Sequence, residues 1–371
     1  MAKITVITLQ NIRNYGSALQ ALATQKVFEQ LGLEVDFINY LRENACSNKN
    51  KIITWCQGMS PLKKIFYACA LYPSFLLMDK KFKKFLRNYL NIQKQSYSTE
   101  NDFKNFPITS DIYCTGSDQT WNSGWNGGVL PPLFLSFVPN NIPKIAYSAS
   151  FGKSKLDEWE KEETKQLLKR YQAISVRENS GVDIINDLGI SGAVHVLDPT
   201  LQLNRDFWKQ YAGKRKIKVP YLLIYQLNTN PQFDKYAKEF AKRKGLKLVR
   251  FCTRIDQCIK CGKSLIVPEV LDFVSLIYYA DLVITDSFHA TAFSINVNTQ
   301  FISIYPANFG SRLESILKLT KLEDRHLSSY NDFSYITDAK IDFTYANNVL
   351  EKEREKGYEF LKQTLHNNQL I

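Results

Sequence analysis

The chain has 371 residues, which at about 150 residues per domain is about two and a half domains, so we expect two. Its 48 lysines and arginines outnumber its 36 aspartates and glutamates, so the formal net charge is +12, which indicates an anionic partner or surface. Hydrophobic residues make up 44% of the chain, enough for sizeable cores, and this excludes disordered, collagenous and small disulfide-stapled proteins.

The cysteines and the apolar segments together predict a cytoplasmic protein. Seven cysteines are an odd number and are scattered along the chain, which is unlike a disulfide framework and favours a reducing compartment. The apolar stretch at residues 4–8 is too short for a signal peptide. The longest apolar run, residues 65–78, is too short to span a bilayer and contains Pro73.

The first half of the chain has the element order of a parallel α/β sheet. A predicted strand at residues 4–8 precedes a polar loop, a helix at 18–30 and a strand at 34–40. Later apolar runs predict strands at residues 112–115, 144–148, 173–176 and 193–196, and a charged helix at 155–171. We therefore predict a Rossmann-like domain over residues 1–203, with a basic and apolar insert at about 45–100.

The second half repeats this alternation after a polar, basic stretch that follows Asp198-Pro199-Thr200, where we place the linker. The predicted strands lie at 221–226, 247–251, 282–285 and 300–304, and the predicted helices at 233–245, 270–280 and from 287. We expect a second Rossmann-like domain at 204–344, facing the first across a cleft, and a C-terminal helix at 345–371 that packs back towards the N-terminal domain. Such domains bind ligands at the carboxyl ends of their strands.

The segment LVITDSFHATA, residues 282–292, is the most informative in the chain. It predicts a strand, a turn and a helix, with Asp286 or Ser287 as the N-cap and His289 in the first helical turn. A helix N-terminus favours phosphate or carboxylate, and an imidazole there can donate a proton to the bound molecule. The alternative is that His289 only caps the helix or lies at the surface.

A second candidate site, GSDQTWN, directly follows a predicted strand. Gly116 permits a tight turn, and Asp118, Gln119, Trp121 and Asn122 supply a carboxylate, amides and an indole. These groups suit a sugar, which needs hydrogen bonds to its hydroxyls and an apolar platform for its ring face. The alternative is a turn with a helix cap.

Two arginines are candidate anion-binding residues. Arg177 follows a predicted strand, where its guanidinium can bind carboxylate or phosphate, and Arg312 opens a helix after the last strand. The alternatives are a surface salt bridge between Arg177 and Glu178 and a solvated Arg312.

Several signature motifs are absent from the sequence. It has neither a G-x-G-x-x-G after the first strand nor a P-loop, so hydride transfer and nucleotide hydrolysis are not supported. Cys252, Cys258 and Cys261 are spaced like metal ligands, but no fourth cysteine or histidine lies nearby. We predict no metal site and no cofactor.

Six segments, taken in order, resemble the polysaccharide pyruvyl transferase family. They are NYGSALQ at 14–20, GSDQTWN at 116–122, SASFG at 148–152, SVRE at 175–178, DPT at 198–200 and TDSFHA at 285–290. The resemblance implies a glycosyltransferase-B-like (GT-B) fold, phosphoenolpyruvate as donor and co-substrate, and a pair of sugar hydroxyls as acceptor. The expected acceptor is a galactose-type residue of an oligosaccharide carried on undecaprenyl diphosphate, in the synthesis of bacterial surface, capsular or exopolysaccharide.

The resemblance also implies roles for individual residues. His289 would lie at the phosphoenolpyruvate and Asp118 on the acceptor side. From the chemistry of ketal formation we hypothesise that His289 is the general acid and that Asp118 orients or deprotonates the acceptor hydroxyl. The residues expected to bind phosphoenolpyruvate are Arg177, Ser287, Phe288, His289 and Arg312. The residues expected to bind the acceptor are Asn14, Tyr15, Asp118, Gln119, Trp121 and Asn122.

Basic residues flank the apolar run at 65–78. They are Lys63, Lys64, Lys80, Lys81, Lys83, Lys84 and Arg87. An apolar face bordered by lysines is typical of a helix on an anionic membrane, so we expect residues 63–87 to make peripheral contact with the inner face of the cytoplasmic membrane. The alternative is a helix that buries its apolar side on the domain and leaves the lysines in solvent.

Two other functions are alternatives to pyruvyl transfer. A nucleotide-sugar glycosyltransferase of the same fold would ignore phosphoenolpyruvate. A nucleic-acid-binding protein is suggested only by the net charge, which is spread over several segments without a compact basic motif, so we expect no nucleic acid partner.

Overall fold

The structure is a computed structural model that describes residues 1–42, 58, 60–305 and 311–371. Expectations for residues 45–57 and 59 of the insert, and for the loop at 306–310, lie outside the described residues.

The described residues contain twelve strands: β1 (Lys3–Ile7), β2 (Glu34–Tyr40), β3 (Ile92–Tyr97), β4 (Ile112–Thr115), β5 (Lys144–Ala149), β6 (Ala173–Val176), β7 (Val194–His195), β8 (Tyr221–Tyr225), β9 (Lys247–Cys252), β10 (Lys263–Ile266), β11 (Leu282–Thr285) and β12 (Phe301–Ser303).

The same residues contain thirteen α-helices: α1 (Tyr15–Gln30), α2 (Pro61–Tyr89), α3 (Glu100–Asn105), α4 (Ser123–Asn126), α5 (Glu158–Leu168), α6 (Asn179–Asp187), α7 (Pro199–Gln202), α8 (Arg205–Ala212), α9 (Pro231–Lys244), α10 (Val270–Tyr278), α11 (Phe288–Asn296), α12 (Ser311–Thr320) and α13 (Thr344–Asn367).

The chain divides into two compact units. Unit 1 consists of Met1–Ala45, Phe85–Leu203 and Leu350–Ile371, and unit 2 consists of Cys46–Lys84 and Asn204–Val349. The sequence analysis assigned the whole insert, at about 45–100, to the N-terminal domain. Of the described residues of the insert, the structure instead groups 58 and 60–84 with unit 2, and it places β3 in the sheet of unit 1.

Each unit is built on one parallel sheet. Unit 1 has seven strands in the order β3-β2-β1-β4-β5-β6-β7, and unit 2 has five in the order β10-β9-β8-β11-β12. The strand order reverses between β1 and β4 in unit 1 and between β8 and β11 in unit 2. In open parallel sheets, ligands bind outside the carboxyl ends of the strands at such a reversal. The two sheets with their intervening helices confirm the predicted two-domain Rossmann-like α/β fold.

The central strands of both sheets are buried because they are largely apolar on both faces. Every residue of β5 and β8 is buried, as expected of parallel strands that helices cover on both sides. In unit 2, Leu222 and Ile284 pack with Phe233 and Phe240 of α9 in one core cluster. In unit 1, Ala146, Ile174 and Ile185 belong to a corresponding cluster. Each sheet therefore packs against helices of its own unit in an apolar core.

Within the described part of the chain, no helix is both long enough and apolar enough to cross a membrane.

Candidate functional site

In unit 1, Asp118 lies where the strand order reverses. It follows β4, and its carboxylate accepts a hydrogen bond from the hydroxyl of Ser17 in the first turn of α1. The hydroxyl of Thr8, just after β1, donates to the carbonyl oxygen of Ser117 at 2.6 Å. These two contacts join the carboxyl ends of β1 and β4, and they place the Asp118 carboxylate at the start of α1.

The start of α1 is set by the NYGS segment. The side chain of Asn14 caps the helix by accepting hydrogen bonds from the backbone N–H groups of Gly16 at 2.9 Å and Ser17 at 3.2 Å. Tyr15 is fully buried. The segment was predicted to bind the acceptor through Asn14 and Tyr15, but here it caps and anchors the helix, and Ser17 is the residue that contacts Asp118.

Arg177 lies in a buried cluster of carboxylates. Its guanidinium nitrogens are 2.7 Å from a carboxylate oxygen of Asp198, 3.6 Å from one of Glu178 and 3.8 Å from one of Asp118. Burial by itself lowers the pKa of the guanidinium, but the three carboxylates outweigh burial and raise the pKa above its usual value. One cation faces three acids, so this cluster has a formal charge of −2.

This position differs from the predicted role of Arg177 as a clamp for phosphoenolpyruvate. Its side chain is 2% exposed, and a buried charge is stabilised only when it is paired and hydrogen-bonded. The carboxylates of unit 1 already pair with the guanidinium. Its observed contacts are those of a residue that positions Asp118 and Asp198.

The DPT and SASFG segments contribute to the same cluster through hydrogen bonds to its acids. Asp198 accepts hydrogen bonds from the backbone N–H of Thr200 at 2.9 Å and from its hydroxyl at 2.6 Å, which caps α7. The hydroxyl of Ser150 donates to Glu178 at 2.5 Å. These segments therefore hold the buried acids in place.

Trp121 does not present its ring to a ligand. It is 2% exposed, its indole N–H donates to the carbonyl oxygen of Leu133 at 3.3 Å, and its ring packs between Phe134 and Phe151. The predicted sugar platform is thus a core side chain of unit 1. The physical reason is that burying an indole among aromatic rings removes a large apolar area from water.

The amides of Gln119 and Asn122 are engaged with each other. The Asn122 amide donates to the Gln119 side-chain oxygen at 2.5 Å, and the Asn122 oxygen caps α4 by accepting from the Trp125 N–H at 3.0 Å. Gly152 packs directly against this pair, because a Cβ there would lie 2.5 Å from the Asn122 amide nitrogen. These two predicted acceptor residues shape the turn, although Gln119 is only partly buried.

An exposed indole that the sequence analysis did not select lies in the same turn. Trp125, in α4, has 56% of its surface exposed. Next to it, the Asn126 amide donates to the carbonyl oxygen of Thr120 at 2.9 Å and so anchors α4 to the turn. The signal in the sequence was the second tryptophan of TWNSGWN, whose exposure becomes visible only in the structure.

In unit 2, Asp286 lies at the corresponding reversal of strand order. Its carboxylate accepts hydrogen bonds from the backbone N–H groups of Leu227 at 2.7 Å and Asn228 at 2.9 Å, and from the Asn228 amide at 3.0 Å. Burial raises the pKa of this carboxyl, although the three hydrogen bonds oppose the shift. Asp286 thereby joins the segment after β8 to the segment after β11.

The other residues predicted to bind phosphoenolpyruvate lie together at the start of α11. Ser287 is the N-cap and accepts from the Ala290 N–H at 3.4 Å, and His289 is buried in the first turn. The Phe288 and His289 rings meet edge to face at 5.2 Å, and the Arg312 guanidinium lies 5.5 Å from the Phe288 ring centroid. An imidazole, an aromatic ring and a guanidinium therefore share one helix start, which favours an anionic ligand.

The three cysteines that are spaced like metal ligands in the sequence form no ligand set. Cys252 is buried, Cys258 is exposed and Cys261 is intermediate, and all three are free thiols. Burial raises the pKa of the Cys252 thiol. Over the described ranges, no group of three or more histidine, cysteine, aspartate or glutamate side chains is arranged to hold a metal ion.

The fold and these strand-end sites define a two-domain Rossmann-like protein of the GT-B type, and solved structures share this fold. MnaA from S. aureus, in a co-structure with UDP, has a TM-score of 0.51 and 12% sequence identity over 100% of this chain and 98% of that chain. A Listeria monocytogenes protein assigned as a UDP-N-acetylglucosamine 2-epimerase has a TM-score of 0.50 and 11% identity, over 96% and 91%. At these identities the likeness shows the fold alone.

The family is shown by a match over most of the chain. The family model for polysaccharide pyruvyl transferase matches residues 14–308. The chain therefore belongs to the polysaccharide pyruvyl transferase family, which confirms the resemblance found in the six sequence segments. No protein of curated function matches it significantly.

Proposed function

We propose that this protein is a pyruvyl transferase that moves pyruvate from phosphoenolpyruvate onto two hydroxyls of one sugar and releases inorganic phosphate. The observation that carries the proposal is family membership over residues 14–308. The proposed acceptor is a galactose-type residue of an oligosaccharide linked to undecaprenyl diphosphate. This acceptor would place the reaction in the synthesis of a bacterial surface or capsular polysaccharide.

Ketal formation requires an acid, a base and stabilisation of anionic groups. The enol double bond of phosphoenolpyruvate supplies the electron pair that takes up a proton at C3, which leaves C2 cationic. One sugar hydroxyl attacks C2 and loses its proton. Inorganic phosphate then leaves with the electron pair of its C–O bond, and the second hydroxyl attacks C2, loses its proton and closes the ketal.

In unit 2, we assign proton delivery to His289. Its imidazole is buried at the start of α11, where helix N–H groups favour the anionic donor. Ser287 and Phe288 flank it in sequence, and Arg312 lies beside the Phe288 ring. These contacts support the proposal that this helix start binds phosphoenolpyruvate.

In unit 1, we propose that Asp118 binds the acceptor hydroxyl and accepts its proton. Its carboxylate is oriented by the Ser17 hydroxyl and by the Gln119 N–H, which donates to it at 2.8 Å. An oriented carboxylate can hold a hydroxyl and accept its proton. We propose that Arg177 acts through Asp118, because their charged groups lie 3.8 Å apart inside the buried cluster.

The first experiment measures phosphate release and acceptor mass together. The purified protein is incubated with phosphoenolpyruvate and a panel of galactosides, both free and linked to undecaprenyl diphosphate. We expect phosphate release to require an acceptor, and the acceptor to gain the mass of one pyruvate less one water. His289→Ala is expected to lower kcat by about a hundredfold or more, because general acid catalysis contributes on that scale.

His366→Ala is the matched control, because His366 is exposed near the end of α13. It should leave kcat unchanged, and circular dichroism should show both variants folded. Wild-type activity in folded His289→Ala would contradict the role of the imidazole. Consumption of a nucleotide sugar with phosphoenolpyruvate untouched would instead identify a glycosyltransferase.

A further inference from the structure

Most of helix α2, up to Lys84, belongs to unit 2 and is attached to it along one side. The Ser74 hydroxyl oxygen accepts a hydrogen bond from the backbone N–H of Ile255 at 2.8 Å, and the Lys81 ammonium donates to the carbonyl oxygen of Val267 at 2.5 Å. Lys81 also lies 3.8 Å from a carboxylate oxygen of Glu269. The buried residues of this side recur at helical spacing, and they are Leu71, Ser74, Met78 and Phe82. The helix therefore has one fixed orientation on unit 2.

The opposite side of α2 carries an exposed apolar stripe, which we define as Leu62, Ile65, Tyr72 and Leu76. Its exposed fractions run from 48% at Tyr72 to 82% at Leu62. At about 100° of rotation per residue, the four side chains fall within one quarter of the helix circumference, and the buried residues lie on the other side. An apolar stripe of four large side chains in water is typical of an interaction surface.

The same face continues into exposed basic residues. Lys80, Lys83 and Arg87 follow the stripe at spacings that keep them on its side of the helix, and all three are exposed. The side chain of Lys84 is also 61% exposed, although it lies 3.8 Å from Glu269. One face of one helix thus presents apolar side chains in its first half and cations in its second half.

The charge pattern of this face of α2 indicates which kind of partner binds it. If α2 of a second copy of the chain paired with this face in parallel, the basic residues of the two helices would repel each other. If it paired antiparallel, the basic residues of each helix would lie on the apolar stripe of the other. A flat anionic surface with an apolar layer beneath it complements both halves at once. We propose that this face of α2 binds an anionic lipid bilayer, with the stripe at the boundary of headgroups and acyl chains and the basic residues on the headgroups.

The test uses the whole protein and lipid vesicles, with neither phosphoenolpyruvate nor sugar present. The fraction that sediments with phosphatidylglycerol–phosphatidylcholine vesicles is compared with the fraction that sediments with pure phosphatidylcholine, at low and high salt. We expect binding to the anionic vesicles at low salt and release at high salt, because screening weakens exposed charges. Since no substrate is needed, this result is independent of the proposed reaction.

Two sets of variants measure separately how much the basic residues and the apolar stripe contribute to vesicle binding. Lys80→Gln, Lys83→Gln and Arg87→Gln together should weaken binding by about fivefold per charge removed. Their matched control neutralises exposed lysines of α9, with Lys235→Gln, Lys238→Gln and Lys242→Gln.

The stripe variant combines Leu62→Ser, Ile65→Ser and Leu76→Ser, and we expect it to weaken binding at least tenfold. Its control replaces exposed apolar residues elsewhere, with Phe106→Ser, Val219→Ser and Ile259→Ser. All these positions are exposed, so circular dichroism should show folded proteins.

Three results would overturn the proposal. The wild-type protein could fail to sediment with anionic vesicles, or the stripe variant could bind as tightly as its control. Analytical ultracentrifugation could also show a dimer that the stripe variant abolishes while vesicles are ignored, which would assign the face to a second copy of the chain.

Discussion

Asp118 has a backbone φ of +82°, in the left-handed region that residues other than glycine seldom adopt. Such a conformation costs about 1–3 kcal/mol and persists where surrounding contacts hold it. Here a backbone bridge to Ala149 and the hydrogen bond from Ser17 hold the residue in place. The conformation turns the carboxylate towards the start of α1, which is why Ser17 contacts an acid 101 positions away.

Trp125 leads to a prediction about the acceptor. If its exposed indole supplies the apolar platform that Trp121 does not, then Trp125→Ala should raise the KM for the acceptor about tenfold, with kcat nearly unchanged. Loss of a stacking ring has an effect on this scale. The measurement is initial-rate kinetics with varied acceptor at saturating phosphoenolpyruvate.

The control for this substitution is Trp159→Ala, because Trp159 is a comparably exposed indole in α5 of the same unit. It should leave both kinetic constants unchanged. An equal KM in both variants would show that Trp125 takes no part in acceptor binding.

Among the elements, the central strands were predicted from the sequence, whereas two of the four edge strands, β3 and β10, were not. The predicted strands at 112–115, 173–176 and 282–285 coincide with β4, β6 and β11, because buried parallel strands are nearly continuous apolar runs. β3, with the sequence IQKQSY, and β10, with the sequence KSLI, were not predicted. Both lie at a sheet edge and are largely exposed or half-buried, so pairing with a neighbouring strand decides their structure.

Helix α13 packs closely on α7 within unit 1. A Cβ at Gly357 would lie 2.5 Å from the side-chain oxygen of Gln202, whose amide donates to the carbonyl oxygen of Arg354 at 2.7 Å. In an exposed helix, glycine to alanine is stabilising. Here we expect Gly357→Ala to lower the free energy of unfolding by about 1–3 kcal/mol, because overpacking displaces a buried amide.

Thermal unfolding followed by circular dichroism measures this effect. The matched control is the double variant Gly357→Ala, Gln202→Ala, in which the added methyl group no longer meets the amide. If close packing is the cause, Gly357→Ala should destabilise the wild-type background more than the Gln202→Ala background. A stabilising effect of Gly357→Ala alone would contradict it.

Across the whole molecule, unit 1 is assembled from three separate stretches of chain. Its last stretch is most of α13, where Leu350, Leu361 and Leu365 are fully buried. The Arg354 guanidinium also donates to the carbonyl oxygen of Leu201 at 2.8 Å. The C-terminal residues are therefore part of the core of the unit that contains the N-terminus.

Truncation after Val349 should consequently destabilise unit 1. It removes the buried leucines and leaves the buried Leu201 carbonyl and Gln202 amide without their partners. We expect faster backbone hydrogen exchange in α7 and in α1, where Gln30 accepts a hydrogen bond from Tyr358 at 2.5 Å. Mass spectrometry of exchanged peptides measures this, and truncation after Asn368 is the control.

The sequence by itself determined the two Rossmann-like folds, the central strands, a helix start at Asp286 or Ser287 and the family. These follow from local patterns, because apolar runs, caps and ordered motifs are properties of neighbouring residues. Only the tertiary structure decided that Trp121 belongs to the core, that Arg177 faces three carboxylates and that residues 60–84 belong to unit 2. Such placements depend on contacts between distant positions, which form only when parallel strands bring their carboxyl ends to one edge of a sheet.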